Sequence, residues 1–299
     1  MTGFVTTVRH ELLSSSRERL PQALLVVFLA MVTVSAGIGW ITNRTVTQVW
    51  EKTRAAGLTS APNPFTDVSA LYYARNTVIY IVMIGSLLAI VLGVSSVLRG
   101  RASGTVDLVL SRPISARTYL AGRLAGMAAW LGLVVAAAGT ISWISLAIIS
   151  GRPLTWPDSG RLVAFFVLAW VFVLVFVLLG MVSALHARRE TTALLAPIVV
   201  WAVVTFVLPQ LGTAAHPVSL LNPVPAIANT GGSFPLIQSI VGPASVTEQF
   251  KTASGILLRD DQVTGNLTTS LAWIFAAAAV GTVVLLMTRR DQVRKDLDE

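Results

Sequence analysis

The stretch Leu162-Val-Ala-Phe-Phe-Val-Leu-Ala-Trp-Val-Phe-Val-Leu-Val-Phe-Val-Leu-Leu-Gly-Met-Val-Ser-Ala-Leu185 holds no charged residue, and its only hydroxyl is Ser183. A helix of about 20 apolar residues covers the ~30 Å hydrocarbon core of a bilayer. The run is continuous and rich in Leu, Val and Ala, so it reads as a membrane helix and not as an alternating barrel strand. Five further stretches read the same way: Leu20–Ile41, Thr77–Leu98, Leu124–Ile149, Ala193–Leu211 and Thr268–Met287. None of the six contains Asp, Glu, Lys, Arg or His. The fold expected is an all-α membrane protein, with one six-span transmembrane domain over residues 1–299.

Composition agrees. Of 299 residues, 54% are hydrophobic and only 12% charged, about half the charge a soluble domain uses to cover its surface. A soluble enzyme, a disordered chain and a fibrous repeat are excluded. The net charge of +8 does not point to nucleic acid, because the basic residues are scattered between apolar spans. With no cysteine, the chain has no disulfide, no thiol nucleophile and no Cys-ligated metal.

Six spans put both termini on one side, together with the loops 99–123 and 186–192. That side carries 14 of the 22 Lys and Arg. The positive-inside rule therefore predicts cytoplasmic termini in a plasma (inner) membrane protein. Trp40, Trp143, Trp156 and Trp273 fall near the predicted outer boundary, as an aromatic belt would. The first 41 residues also resemble a secretory signal with Val34-Ser35-Ala36 as a cleavage site, but the apolar run is too long and a retained first span is expected.

Residues 4–19 read as an amphipathic helix on the cytoplasmic surface, with Phe4, Val8 and Leu12 at i, i+4, i+8 and Arg9, Arg17 and Arg19 for anionic headgroups. His10-Glu11 begins like a zinc-protease motif, but Ser14 stands where the second His is required. Gly122-x-x-x-Gly126 opens the third span; the small pair suits close helix packing, either within the chain or between copies.

The loop Arg99-Gly-Arg-Ala-Ser-Gly-Thr-Val-Asp-Leu-Val-Leu-Ser-Arg-Pro-Ile-Ser-Ala-Arg-Thr-Tyr-Leu-Ala-Gly-Arg123 carries the most information. Ser103 suits an N-cap, and Asp107 in the first turn suits the helix dipole. Val106, Val109 and Leu110 share one face, and Pro113 ends the segment at Arg112. Ser115 is placed to cap the next helix, which runs through Arg123 into the third span. The result is a two-turn amphipathic helix that either rests on the membrane interface or docks on a partner.

This loop resembles a segment of the type-2 ABC transporter permeases. The residues that carry the likeness are Gly104-Thr105, Asp107-Leu108-Val109-Leu110, Ser111-Arg112-Pro113-Ile114-Ser115 and Gly122-Arg123. Three departures stand out: the usual acidic position is Gly100, the Arg after the second Ser is displaced to Arg117, and the terminal Lys is Arg123. The resemblance extends over the whole chain, from the amphipathic N-terminus through six spans to the long outer segment. It implies that the loop is a coupling helix seated in a groove on a separate ATPase subunit, through Arg101, Gly104, Thr105, Val106, Asp107, Val109, Leu110, Arg112, Pro113, Ser115 and Arg117. An apolar face with a basic rim suits helix-in-groove docking.

The segment 212–267 is punctuated by Pro and Gly, and Thr247–Leu258 reads as a short helix. The resemblance implies partly re-entrant helices over the outer mouth; a plain lid is the other reading. Asn43-Arg-Thr45 and Asn266-Leu-Thr268 match the short glycosylation pattern.

No Gly-x-x-x-x-Gly-Lys-[Ser/Thr] occurs, and His10, His186 and His216 are scattered. No catalytic, metal or cofactor residue is therefore expected in this chain, with ATP and Mg left to the partner. Spans without titratable groups argue against an ion-coupled transporter and an intramembrane protease. The function expected is the permease of an ATP-driven exporter of a hydrophobic or amphipathic substrate, paired with a second permease, identical or not, and embedded in lipid. The alternative is an ATPase-linked subunit that transmits conformational work to an extracytoplasmic protein, as in metalloprotein maturation. The spans name neither substrate nor pathway residues.

Overall fold

A computed structural model describes residues 2–15, 19–60, 69–102, 115–208, 245–260, 263, 265–288 and 293. The elements are α1 (Thr2–Ser15), α2 (Arg19–Ala55), α3 (Arg75–Tyr80), α4 (Ser86–Ala102), α5 (Ala116–Ser150), α6 (Trp156–His186), α7 (Glu190–Ala202), α8 (Val246–Leu257) and α9 (Leu267–Leu286). A 3-10 turn, Ala70–Ala74, leads into α3, and a single π turn, Ile81–Gly85, joins α3 to α4; a second π turn, Val203–Val207, prolongs α7. No strand occurs among the described residues. Among the described residues six helices are long and apolar enough to cross a membrane, running Gln22–Ala55, Ala70–Arg101, Ala116–Ser150, Trp156–His186, Glu190–Val207 and Leu267–Leu286.

Every expected span is present, but several overrun their apolar stretches. Span 1 continues as α2 to Ala55, through residues read as loop. Between Gly39 and Gly57 nothing breaks a helix; Gly57, with φ 71°, then closes it. Its N–H donates to the Arg54 carbonyl and that of Leu58 to Thr53, the paired bonds of a Schellman end. Arg44 and Arg54 lie over the rings of Trp40 and Trp50 one turn back, at 5.5 and 5.0 Å. Polar composition alone does not stop a helix that has no terminating residue.

Other ends follow local chemistry legible in the sequence. Ser115 caps α5, its Oγ accepting from the Thr118 N–H at 3.1 Å. Thr155 does the same for α6 through Asp158, with Pro157 in the first turn. Ser245 caps α8 through the Glu248 N–H, a Ser-x-x-Glu capping pattern. Asn266 spends its carboxamide on α9, accepting from Thr268 and Thr269 at 2.9 and 3.4 Å.

Spans 2 and 4 form the centre, with 72% and 61% of their most apolar windows buried, against 17–28% for the other four. The two run parallel and touch at glycines. A Cβ on Gly93 would meet the Val177 carbonyl oxygen inside contact distance, and one on Gly180 would stand 2.5 Å from that of Ile90. Without side chains there, the two backbones pack directly, which is how helices associate in lipid.

Candidate functional site

The loop that the sequence singles out spans residues 103–114, between Ala102 of α4 and Ser115 before α5. Gly104, Thr105, Val106, Asp107, Val109, Leu110, Arg112 and Pro113 lie outside the described residues. Arg101, Ser115 and Arg117 bracket them: Ser115 and Arg117 are exposed on the first turn of α5, and Arg101 ends α4.

Arg101 is turned onto the end of α6. Its Nη1 donates to the Ala184 carbonyl at 2.8 Å and the Ala187 carbonyl at 3.5 Å, and its Nη2 donates to Leu185 at 3.0 Å. A guanidinium on the last carbonyls of a helix both satisfies them and complements the dipole. One side of the loop is thus fixed to span 4.

The other anchor comes from the N-terminus. α1 lies against the first turns of α5, where Gly122 and Gly126 form its seat. A Cβ on Gly122 would stand 3.0 Å from Thr7 Cβ, and one on Gly126 would stand 2.7 Å from Glu11 Cβ. The glycine pair therefore serves packing within the chain. The buried residues of α1 are Glu11 and Ser15, whereas Phe4, Arg9 and His10 are exposed and Val8 and Leu12 half-buried. The helix turns its one carboxylate inward and leaves Phe4 exposed.

Glu11 is 1% exposed. Its Oε1 pairs with Arg99 Nη2 at 2.6 Å, and its Oε2 lies 3.4 Å from Arg123 Nε. Ser15 donates to Oε1 at 3.4 Å. The Arg123 guanidinium also donates to the Ser96 carbonyl and lies 4.9 Å from the centre of the Tyr119 ring. A buried carboxylate between two guanidiniums is tolerable only when paired in this way. Glu11, Arg99, Arg123 and Tyr119 together hold the end of α4 and the start of α5 to α1.

At the opposite end, α8 sinks against α6 and α9. Phe250 is fully buried, its ring stacked on Phe172 at 4.2 Å and on Phe165 at 6.3 Å. Ser270 on α9 donates to Gln249 at 2.8 Å, and Arg259 pairs with Asp158 at 3.5 Å. The expected helix Thr247–Leu258 is thus present, and an aromatic stack fixes its inner face to span 4. Between α5 and α6 lies an apolar cleft of about 540 Å³, whose lining includes Gly132, Ala136, Gly139, Trp143, Phe166 and Trp170. The indoles of Trp143 and Trp170 are already bonded, to Ser159 Oγ and the Ala128 carbonyl.

Residues 6–291 match the family described as ABC-2 family transporter protein, nearly the whole chain. This chain belongs to that family. No curated relative matches it. As an ABC-2 protein it is a membrane subunit of an ABC transporter and not the ATPase, and membership implies association with a cytoplasmic ABC ATPase. The resemblance read from Gly104 to Arg123 therefore pointed to the right family.

In this ABC-2 protein, the reading of the sequence set Glu11 aside with a failed zinc motif, gave Arg99 and Tyr119 no role, and counted Arg123 in the family likeness as a replaced Lys. A signal was present: Phe4, Val8, Glu11 and Ser15 recur at i, i+4, i+7, i+11, so the only acid of α1 shares a face with the residues assigned to burial. Trp201 was passed over as well. Its Nε1 donates to Ser86 Oγ at 2.6 Å, clasping span 5 to the π turn of span 2.

Proposed function

We propose that this ABC-2 protein is the permease of an ATP-driven exporter, working as one of a pair in the plasma membrane with both termini in the cytoplasm. The loop 103–114 docks on the ATPase, which carries the ATP and Mg, and its substrate is hydrophobic or amphipathic. The observation that carries the reading is the bracing of the loop's two ends, by Arg101 on span 4 and by the Glu11 cluster on α1. A segment hung between braced helices passes a push from outside into the spans, where a loosely tethered one would absorb it. The spans expected from the sequence carry no charged residue, so the driving energy comes from the partner.

The test is co-purification of the tagged chain in mild detergent with its ATPase, in the wild type and in Val109→Asp. Burying a valine side chain contributes roughly 1.5–3 kcal/mol, and a carboxylate in an apolar groove adds a penalty. The expected loss of association is at least about tenfold, while Arg112→Ala, a rim charge, does less. A Val109→Asp chain that inserts normally and keeps its ATPase removes the docking assignment.

A further inference from the structure

We propose that Glu11 is a positioning residue for energy coupling: it ties the N-terminal helix to both stems of the loop 103–114, so that α1, the end of α4 and the start of α5 move as one body. The proposal rests on the reading that this loop receives the ATPase stroke. Three independent observations carry it.

The first is the ion cluster. The two carboxylate oxygens of Glu11 are divided between Arg99, just before the loop, and Arg123, two turns beyond the cap that ends it. One side chain on a separate helix thus bridges both stems.

The second is Gly100. It has no side chain. The Arg123 guanidinium fills the space instead: a Cβ at Gly100 would stand 2.8 and 3.0 Å from its two terminal nitrogens. The cation a carboxylate at residue 100 would neutralise from within span 2 is neutralised from α1. The N-terminal helix thus supplies the carboxylate that both stems share.

The third is the seat. Gly122 and Gly126 let α1 approach α5 until Thr7 and Glu11 occupy the space of the missing side chains. α2 begins at Arg19, four residues after α1 ends. Motion of the stems therefore reaches span 1 through a short connection, a route the covalent order of spans 2 and 3 does not supply.

The experiment uses the absence of native cysteine. Thr7→Cys with Gly122→Cys sets the two Cβ atoms 3.0 Å apart, so once α1 gives by a few tenths of an ångström a disulfide formed with copper phenanthroline staples α1 to α5 without the carboxylate. In the purified chain this pair should close rapidly with Glu11 present, more slowly in Glu11→Gln, and again rapidly when Gly100→Glu is added to Glu11→Gln. The atoms nearest an added Cβ are the two terminal nitrogens of Arg123 and the Tyr119 hydroxyl. In the complex with its ATPase, reconstituted in liposomes, Glu11→Gln should keep the ATPase bound yet lose ATP hydrolysis about tenfold or more, within the range of a coupling energy between sites. Either Gly100→Glu or the closed disulfide should restore hydrolysis.

A Glu11→Gln chain that closes the disulfide and hydrolyses ATP at wild-type rates overturns the proposal. So does a defect that neither Gly100→Glu nor the disulfide repairs, because Glu11 then matters only to its own packing. Should Glu11→Gln fail to fold, recovery of folded protein by Gly100→Glu supports the shared role, and failure to recover ends it. If the wild-type chain retains no ATPase, the proposed function falls, while closure of the disulfide still decides whether Glu11 holds α1.

Discussion

Gly93 and Gly37 are both glycines inside membrane helices, and the bundle treats them in opposite ways. A methyl on Gly93 would press on the Val177 backbone, which cannot yield without parting spans 2 and 4, whereas Gly37 has nothing within 4 Å. Overpacking at a helix crossing costs about 1–3 kcal/mol or more, and alanine in an open helical position gains roughly 0.5–1 kcal/mol over glycine. Gly93→Ala should therefore lower the melting temperature in detergent and the monodisperse fraction, with Gly180→Ala alongside it and Gly37→Ala neutral or stabilising. Equal tolerance at the three positions would contradict the close crossing. Glu11 belongs to the same scale. Breaking a buried ion pair by removing one partner typically costs about 3–5 kcal/mol, because the remaining charge is stranded. Arg123, 5% exposed, is the group that Glu11→Gln would strand.

Among the elements, helix ends divide into those set by a cap and those set by neighbours. α9 begins on Asn266, whose carboxamide accepts two N–H groups. Asn266→Ala should cost about 1 kcal/mol, and Asn266→Asp should retain most of the cap; thermal unfolding of the purified chain separates the two. The π turn of span 2 is a different case. π turns widen the helix and leave carbonyls in poor register, and they recur at functional sites. Here the Trp201 indole donates to Ser86, which in turn donates to the Val82 carbonyl. Trp201→Phe should remove a hydrogen bond worth about 0.5–1.5 kcal/mol and slacken span 5 against span 2. Faster hydrogen exchange confined to Ile81–Gly85 and Val203–Val207 is the expected readout, and exchange unchanged at both turns would deny the clasp a role.

For the molecule as a whole, the alternation of six spans sets the sides on which loops emerge. A cysteine at Ser111 should label only from the side of the termini, and one at Ser233 only from the opposite side. Both labelling from one side would defeat the six-span arrangement. From the asymmetry of Lys and Arg, the Ser111 side is expected to be the cytoplasmic one. Spans 1, 3, 5 and 6 bury little of their surface within one chain, whereas spans 2 and 4 are central. The purified chain should hydrolyse no ATP once every ATPase is removed, since its sequence has no phosphate-cradling loop.

The number of spans, their order, the cap at Ser115 and the resemblance to the ABC-2 family were legible in the sequence, because each depends on residues close together in the chain. Hydropathy is summed over one helix, a cap acts within one turn, and the Gly104–Arg123 pattern is contiguous. Tertiary structure alone decided what depends on approach between distant segments. Which glycines are crossings and which are idle is a matter of the facing backbone, as Gly93 and Gly37 show. Polar residues after Ile41 read as loop because nothing local distinguishes a solvated helix from a coil, yet α2 runs to Ala55. Glu11 reads as the solvated charge of a surface helix until α5 presents two glycines and an arginine to it. A buried carboxylate is stable only beside its cations, and the pairing of residue 11 with residues 99 and 123 exists only once the chain has folded.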